Sequence, residues 1–183
     1  MGSCITISTI LVSLLTRLSF STFFERADAL RAYLQAQGMA PGDRFAIAMR
    51  NNAEWLIGFT AAFLAGATVV PINSWGQASE LAFAVDDCGA QWLLCDDQRA
   101  VLLGEALETQ NRLIVYDRAV PGSLRGIDFR EAVLAEPPSA VLIPEPSDRC
   151  LVLYPSGSTG TPKGVFHCPP APSPARLTMT FKG

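Results

Sequence analysis

From residue 19 to residue 116 the chain alternates apolar segments of helical spacing with short continuous apolar runs, and this alternation constrains its fold more than any other feature. Phe23, Ala27, Leu30 and Leu34 recur at helical spacing among Arg26, Asp28 and Arg31, which predicts an amphipathic helix. Ser19, Ser21 or Thr22 can cap it, with Thr22 and Glu25 at capping-box spacing, and Gly38 followed by Pro41-Gly42-Asp43 ends it. RFAIAM, residues 44–49, then reads as a buried strand. Asn51 with Glu54 three positions on signals a second helix, and its run WLIGFTAAFLAG is apolar nearly all round. Gly66 closes that helix and ATVVPIN supplies the next strand. A helix over 79–88 follows, with Leu81, Phe83 and Val85 available for packing. QWLLC is a third strand, 98–107 a third helix and RLIVY a fourth strand. Strands and helices in strict alternation across short turns predict an α/β fold with a parallel sheet flanked by helices.

Charge and cysteine usage narrow the classes of function. Lys and Arg number 14 against 17 Asp and Glu, a net charge of -3, so no basic field exists to attract nucleic acid. The five cysteines (Cys4, Cys88, Cys95, Cys150 and Cys168) are scattered without a CxxC pair, and reduced, buried thiols are the expectation. His167 is the only histidine, which leaves little for a histidine metal site or a Ser-His-Asp engine. Ser156 stands two residues before Ser158 where a nucleophile elbow needs glycine.

Three stretches lie outside the alternation. Residues 5–15 are apolar but too short to span a bilayer, and no basic segment precedes them as a secretory signal requires. The opening MGSCIT fits a myristoylation pattern at Gly2, with Cys4 as a second acylation site, so N-terminal lipid anchoring competes with a mis-assigned gene start. Glu136-Pro137-Pro138 and Pro144-Glu145-Pro146 bracket a connector. After Cys168, four prolines within residues 169–174 exclude a helix or inner strand, and residues 169–183 are expected to be disordered.

The chemistry concentrates in YPSGSTGTPKGV, residues 154–165, which follows the predicted strand CLVLY. Gly157, Gly160 and Gly164 allow positive φ and a close approach of backbone N–H groups to an anion. Ser156, Ser158, Thr159 and Thr161 add hydroxyl donors, and Lys163 adds a full positive charge suited to phosphate. The order differs from a Walker A loop, because Gly164 follows Lys163 where that loop needs Ser or Thr. A flexible surface turn is the competing reading of such a composition. Asp86-Asp87 and Asp96-Asp97 could be offered as magnesium ligands, but one pair sits near a helix end and the other just before a helix, where Asp serves as a cap. Trp55, Trp75 and Trp92 are expected to pack, and His167 has two equal readings, a residue that approaches a substrate or a satisfied polar residue at a strand edge.

YPSGSTGTPKGV resembles the signature loop of the adenylate-forming enzymes, the acyl-CoA synthetases among them, and PGDRFAIAMRNNAEW, FLAGATVVPINSW and ASELAFAVDDCGAQWLLCD resemble that family's N-terminal subdomain in the same order. The resemblance runs over residues 18–168, leaving 1–17 as a non-family segment and 169–183 as a proline-rich tail. It implies ATP-dependent activation of a carboxylic acid through an acyl-adenylate, followed by transfer to CoA, with ATP and magnesium as the substrate complex. VVPINSW leans toward fatty acids. Phosphate contact carries over to Ser156, Gly157, Ser158, Thr159, Gly160, Thr161 and Lys163. Pro155 departs from the family's Thr and supplies neither hydroxyl nor N–H. In the family the acyl pocket, the nucleoside contacts and the mobile domain with its catalytic lysine all follow this loop. The expectation is therefore a truncated, inactive and marginally stable fragment in the cytoplasm, its resemblance ended by a frameshift, unspliced intron or alternative exon. The alternative is a non-catalytic module that holds polyphosphate or pairs with another protein through uncovered apolar surface.

Overall fold

A computed structural model describes residues 11–12, 17–104, 112–116, 126–134, 150–154 and 164–167. The N-terminal residues 1–10, the connector 136–146, the loop 155–163 and the tail 169–183 lie outside the described residues.

The elements in chain order are β1 (Leu11–Val12), β2 (Arg17–Leu18), α1 (Phe20–Ala36), β3 (Arg44–Ala48), α2 (Ala53–Leu64), β4 (Thr68–Pro71), α3 (Ala78–Asp87), β5 (Trp92–Asp96), α4 (Asp97–Leu103), β6 (Arg112–Tyr116), β7 (Gly126–Asp128), α5 (Phe129–Ala132), β8 (Cys150–Leu153) and β9 (Val165–His167). β1 and β2 form a small antiparallel pair. The rest build one seven-stranded sheet in the order β7-β6-β5-β3-β4-β8-β9, parallel throughout except for β9, which runs antiparallel to β8.

Several boundaries differ from the sequence reading for local reasons. Ser19 is the cap of α1, its Oγ accepting from the Thr22 N–H at 3.1 Å. Asn52, not Asn51, caps α2: its Oδ1 accepts from the Trp55 N–H at 2.8 Å, the reach of a cap to the third helical residue. α3 begins after Gln77, whose N–H donates to the Glu80 carboxylate at 2.8 Å. α4 ends at Leu103, and Gly104 at φ 34 caps it. β7 and α5 were not anticipated, being too short for periodicity to register.

Side-chain alternation distributes the strands over two cores. Phe45, Ile47, Val69, Trp92 and Leu94 face α1, α2 and α5. Ala46, Ala48, Val70, Leu93 and Cys95 face α3 and α4. Burial on both faces explains why these strands read as continuous apolar runs rather than alternating ones. β4 lies on one side of β3 and β5 on the other, so the crossover reverses direction. A consistent right-handed crossover then puts α2 and α3 on opposite faces, as found.

Two turns are stitched at the amino edge. Gly42 adopts φ 88 and Gly66 φ 83, and the Gly42 N–H donates to the Gly66 carbonyl at 2.9 Å. The neighbouring Asp43 carboxylate accepts from the Ala40 N–H at 3.0 Å and from the indole N–H of the buried Trp92 at 3.1 Å. Among the described residues, no helix is long and apolar enough to cross a membrane.

α2 sits so close to the sheet that a Cβ at Gly58 would collide with the Leu94 side chain. The core there is full, and overpacking of this kind typically costs about 1–3 kcal/mol. Gly58→Val is expected to destabilise the chain by about that amount in urea denaturation, despite valine's better helix propensity; an unchanged midpoint would show that α2 is not pressed against β5.

Candidate functional site

The carboxyl ends of β3, β4, β5 and β8 share one edge of the sheet, and the change of crossover direction around β3 makes this the edge where open α/β sheets bind ligands. Asp96, the last residue of β5, organises it. Its Oδ1 accepts from the Arg99 N–H at 2.9 Å, capping α4 as the sequence predicts, and its Oδ2 accepts from the Arg50 N–H at 3.2 Å. The Arg99 guanidinium pairs with Asp96 at 3.0 Å and donates through Nε to the Ser74 carbonyl at 3.1 Å. One carboxylate thus fastens together the segments that follow β3 and β5, and the arginine it holds reaches the segment that follows β4.

Arg99 is only 5% exposed, and its Nε and Nη1 are bonded to Ser74 and Asp96, so it serves structure. Arg50 differs. Its guanidinium lies over the Trp75 ring, 3.1 Å from the centroid, and its Nη1 is buried with no hydrogen-bond partner among the described residues. Trp75 corrects the expectation that all three tryptophans pack: it is 79% exposed because it stands in the turn beyond β4, where the cation, not the core, is its neighbour. Trp92 is buried, and Trp55 is half-buried with its ring stacked on Phe59 at 5.4 Å.

Ser156, Gly157, Ser158, Thr159, Gly160, Thr161 and Lys163 lie outside the described residues, but both ends of their segment are defined. Tyr154 follows β8 and Gly164 precedes β9. Leu153 pairs with Val165 across the antiparallel ladder, so the two feet of the hairpin stand side by side. Parallel pairing of β8 with β4 directs both toward the carboxyl edge. The Tyr154 ring lies against Gly164, where an added Cβ would come within 3.2 Å of Cζ and 3.0 Å of Val152 Cγ1. The Tyr154 hydroxyl donates to Asp87 Oδ2 at 2.7 Å. Burial, followed by that bond to a carboxylate, pushes the phenol pKa up, so the hydroxyl remains a donor throughout the neutral range.

Asp87 ends α3, and the structure gives it a phenol partner. No group of three or more metal-ligating side chains occurs among the described residues. Beside it, Cys88 is buried, its thiol donating to the Val85 carbonyl at 3.2 Å, and burial raises its pKa to about 11. Burial raises the Cys95 thiol still further. Neither is a thiolate nucleophile at neutral pH. His167 sits on β9 opposite Leu151. The links between Arg50 and Trp75 and between Asp87 and Tyr154 escaped the sequence reading because they are tertiary. The Asp96–Arg99 pair had a legible signal in its i,i+3 spacing at a helix start.

Removing Asp96 leaves Arg99 buried without its counter-charge and strips α4 of its cap. Asp96→Ala is expected to cost about 3–5 kcal/mol in chemical denaturation, and a loss below about 1 kcal/mol would mean the pair is solvated like an ordinary surface bridge.

Comparison with known proteins agrees with this architecture. The family model for AMP-binding enzymes matches residues 8–168. The L-proline–[L-prolyl-carrier protein] ligase of Streptomyces coelicolor is 31% identical over 155 residues, covering 81% of this chain and 29% of the ligase. A long-chain-fatty-acid–CoA ligase of Mycobacterium tuberculosis is 30% identical over 157 residues, covering 82% of this chain and 29% of the ligase. The crystal structure of an anthranilate CoA ligase with anthranoyl-AMP superposes with a TM-score of 0.77 at 22% identity, over 87% of this chain and 31% of that one. The chain thus spans less than a third of these relatives. Since the matched region takes in all the described strands and helices, from β1 to β9, the chain belongs to the AMP-binding enzyme family.

Proposed function

We propose that this chain supplies the polyphosphate-binding part of an ATP-dependent carboxylate activation. The reaction has two steps. A carboxylate oxygen attacks the α-phosphorus of ATP, and the bond to the bridging oxygen breaks to release pyrophosphate. The CoA thiol then attacks the acyl carbon, losing its proton, and AMP departs with the electron pair of the cleaved C–O bond.

One observation carries the reading: the β8–β9 hairpin brings both ends of the segment 155–163 to the carboxyl edge beside the crossover reversal. In this reading Ser156, Gly157, Ser158, Thr159, Gly160, Thr161 and Lys163 hold the β- and γ-phosphates through hydroxyl and backbone N–H donors and one ammonium. Magnesium, arriving with the nucleotide, neutralises charge on the same phosphates. Pro155 contributes no donor, so the remaining groups bear the contact. The names of the relatives, ligases of proline and of long-chain fatty acids, support a carboxylic acid as substrate, and a fatty acid is our assignment. We assign the reaction to the cytoplasm, where ATP and CoA are both available.

We assign these 183 residues the grip on phosphate rather than a full turnover, consistent with their matching 29% of the two ligases. Titration of the chain with magnesium ATP is expected to show saturable binding that Lys163→Ala weakens at least about fivefold, the loss of one charge-assisted contact. Carboxylate-dependent exchange of pyrophosphate into ATP is expected to be absent. Equal affinity in the Lys163→Ala variant would contradict the assignment of the loop, and clear exchange would contradict the division of labour.

A further inference from the structure

Arg50 follows β3 and Trp75 follows β4, neighbouring strands of the sheet, and their side chains meet at its carboxyl edge. Among the described residues the Arg50 guanidinium makes no hydrogen bond and no ion pair, and its Nη1 is buried. A buried donor left unmatched is costly, the more so on a charged group. Asp96 does not relieve it. Both of its carboxylate oxygens accept from Arg99 Nη1, at 3.2 and 3.0 Å, and Arg50 reaches it only through the backbone N–H. Two guanidinium groups, each charged at neutral pH, thus share one carboxylate, and the cluster of Arg50, Arg99 and Asp96 keeps a surplus positive charge.

What lies against the cation is the Trp75 ring, with its centroid 3.1 Å away. The backbone of this turn is anchored, since the Trp75 N–H donates to Asn73 Oδ1 and the Gly76 N–H to the Asn73 carbonyl, each at 3.1 Å. The ring itself is 79% exposed, so rotation about its side-chain bonds lifts it off the guanidinium without disturbing the turn. We propose that Arg50 is an oxyanion-binding residue, taking a phosphate or carboxylate group on its guanidinium fork, and that Trp75 is its displaceable cover. A cation–π contact at an exposed site is weaker than the paired, charge-assisted hydrogen bonds a guanidinium gives an oxyanion, so an arriving anion displaces the ring. The exchange also supplies Nη1 with the acceptor it lacks. The place suits a ligand, because the crossovers diverge at this edge. Phosphate and carboxylate groups both take part in the reaction proposed above, but the inference stands on Arg50 and Trp75 and not on that reaction.

The test titrates the full 183-residue chain, labelled for nitrogen NMR, with sodium phosphate and separately with sodium acetate, the ionic strength held constant with sodium chloride. The side-chain N–H of Arg50 and the indole N–H of Trp75 are followed together. In the wild type both resonances are expected to shift and to saturate at one common anion concentration. Arg50→Gln should abolish the indole response, and Arg50→Lys, which keeps the charge and loses the fork, should weaken it at least about threefold. Trp75→Ala, followed at Arg50, is expected to bind the anion about two- to fivefold more tightly, because the cover no longer competes. A response to phosphate alone assigns a phosphate group, to acetate alone a carboxylate, and to both a site for either. No saturable shift with either anion overturns the proposal. So does an indole response that persists in Arg50→Gln, since the anion would then be held elsewhere, and so does weaker binding in Trp75→Ala, since the ring would then be no cover. If Arg50→Gln fails to fold, Arg50→Lys and Trp75→Ala decide the matter by the same two signals.

Discussion

Burial of β3 on both faces is the constraint from which the rest of this structure follows. Phe45 and Ile47 point into one core and Ala46 and Ala48 into the other, and none of the four is measurably exposed. A strand in this position needs sheet neighbours on both sides and helices above and below. β4 and β5 satisfy its two edges, with Phe45 paired to Val69 on one side and Trp92 on the other. α1 and α2 cover the first face and α3 and α4 the second. A one-residue slip would exchange the large and small side chains between the two cores, so the register is tightly specified.

The site inherits its position from that arrangement. With β5 on one side of β3 and β4 on the other, the carboxyl edge opens where the crossovers diverge, and Asp96 ties the segments together there through Arg50 and Arg99. β8 extends the sheet beyond β4 in parallel, which turns the hairpin toward the same edge. The placement of Tyr154 and Gly164, the residues that flank the segment 155–163, is thus a consequence of sheet order.

Much of this was legible in the sequence because burial on two faces leaves a strong mark: FAIA, VVP and WLLC are unbroken apolar runs between segments of helical spacing. The family was legible because YPSGSTGTPKGV is a continuous pattern that needs no tertiary information to be seen. Helix ends were less so: the spacing of Asn51 to Glu54 pointed to Asn51 as the cap, and the geometry of the first turn selects Asn52 instead. GID and FREA are too short to carry a period. The exposure of Trp75, the burial of Arg99 and the bond from Tyr154 to Asp87 depend on which segments the sheet brings together, information that a single sequence does not display.

The most direct test of the central claim, that the carboxyl edge presents a polyphosphate site between β8 and β9, is a map of backbone amide chemical shifts on addition of magnesium ATP. The account predicts changes concentrated at residues 154–164 and at the neighbouring ends of β3 and β4, with β7 and the outer surface of α1 unmoved. Changes confined to α1 and α2, or none at nucleotide concentrations that saturate binding by another assay, would contradict it.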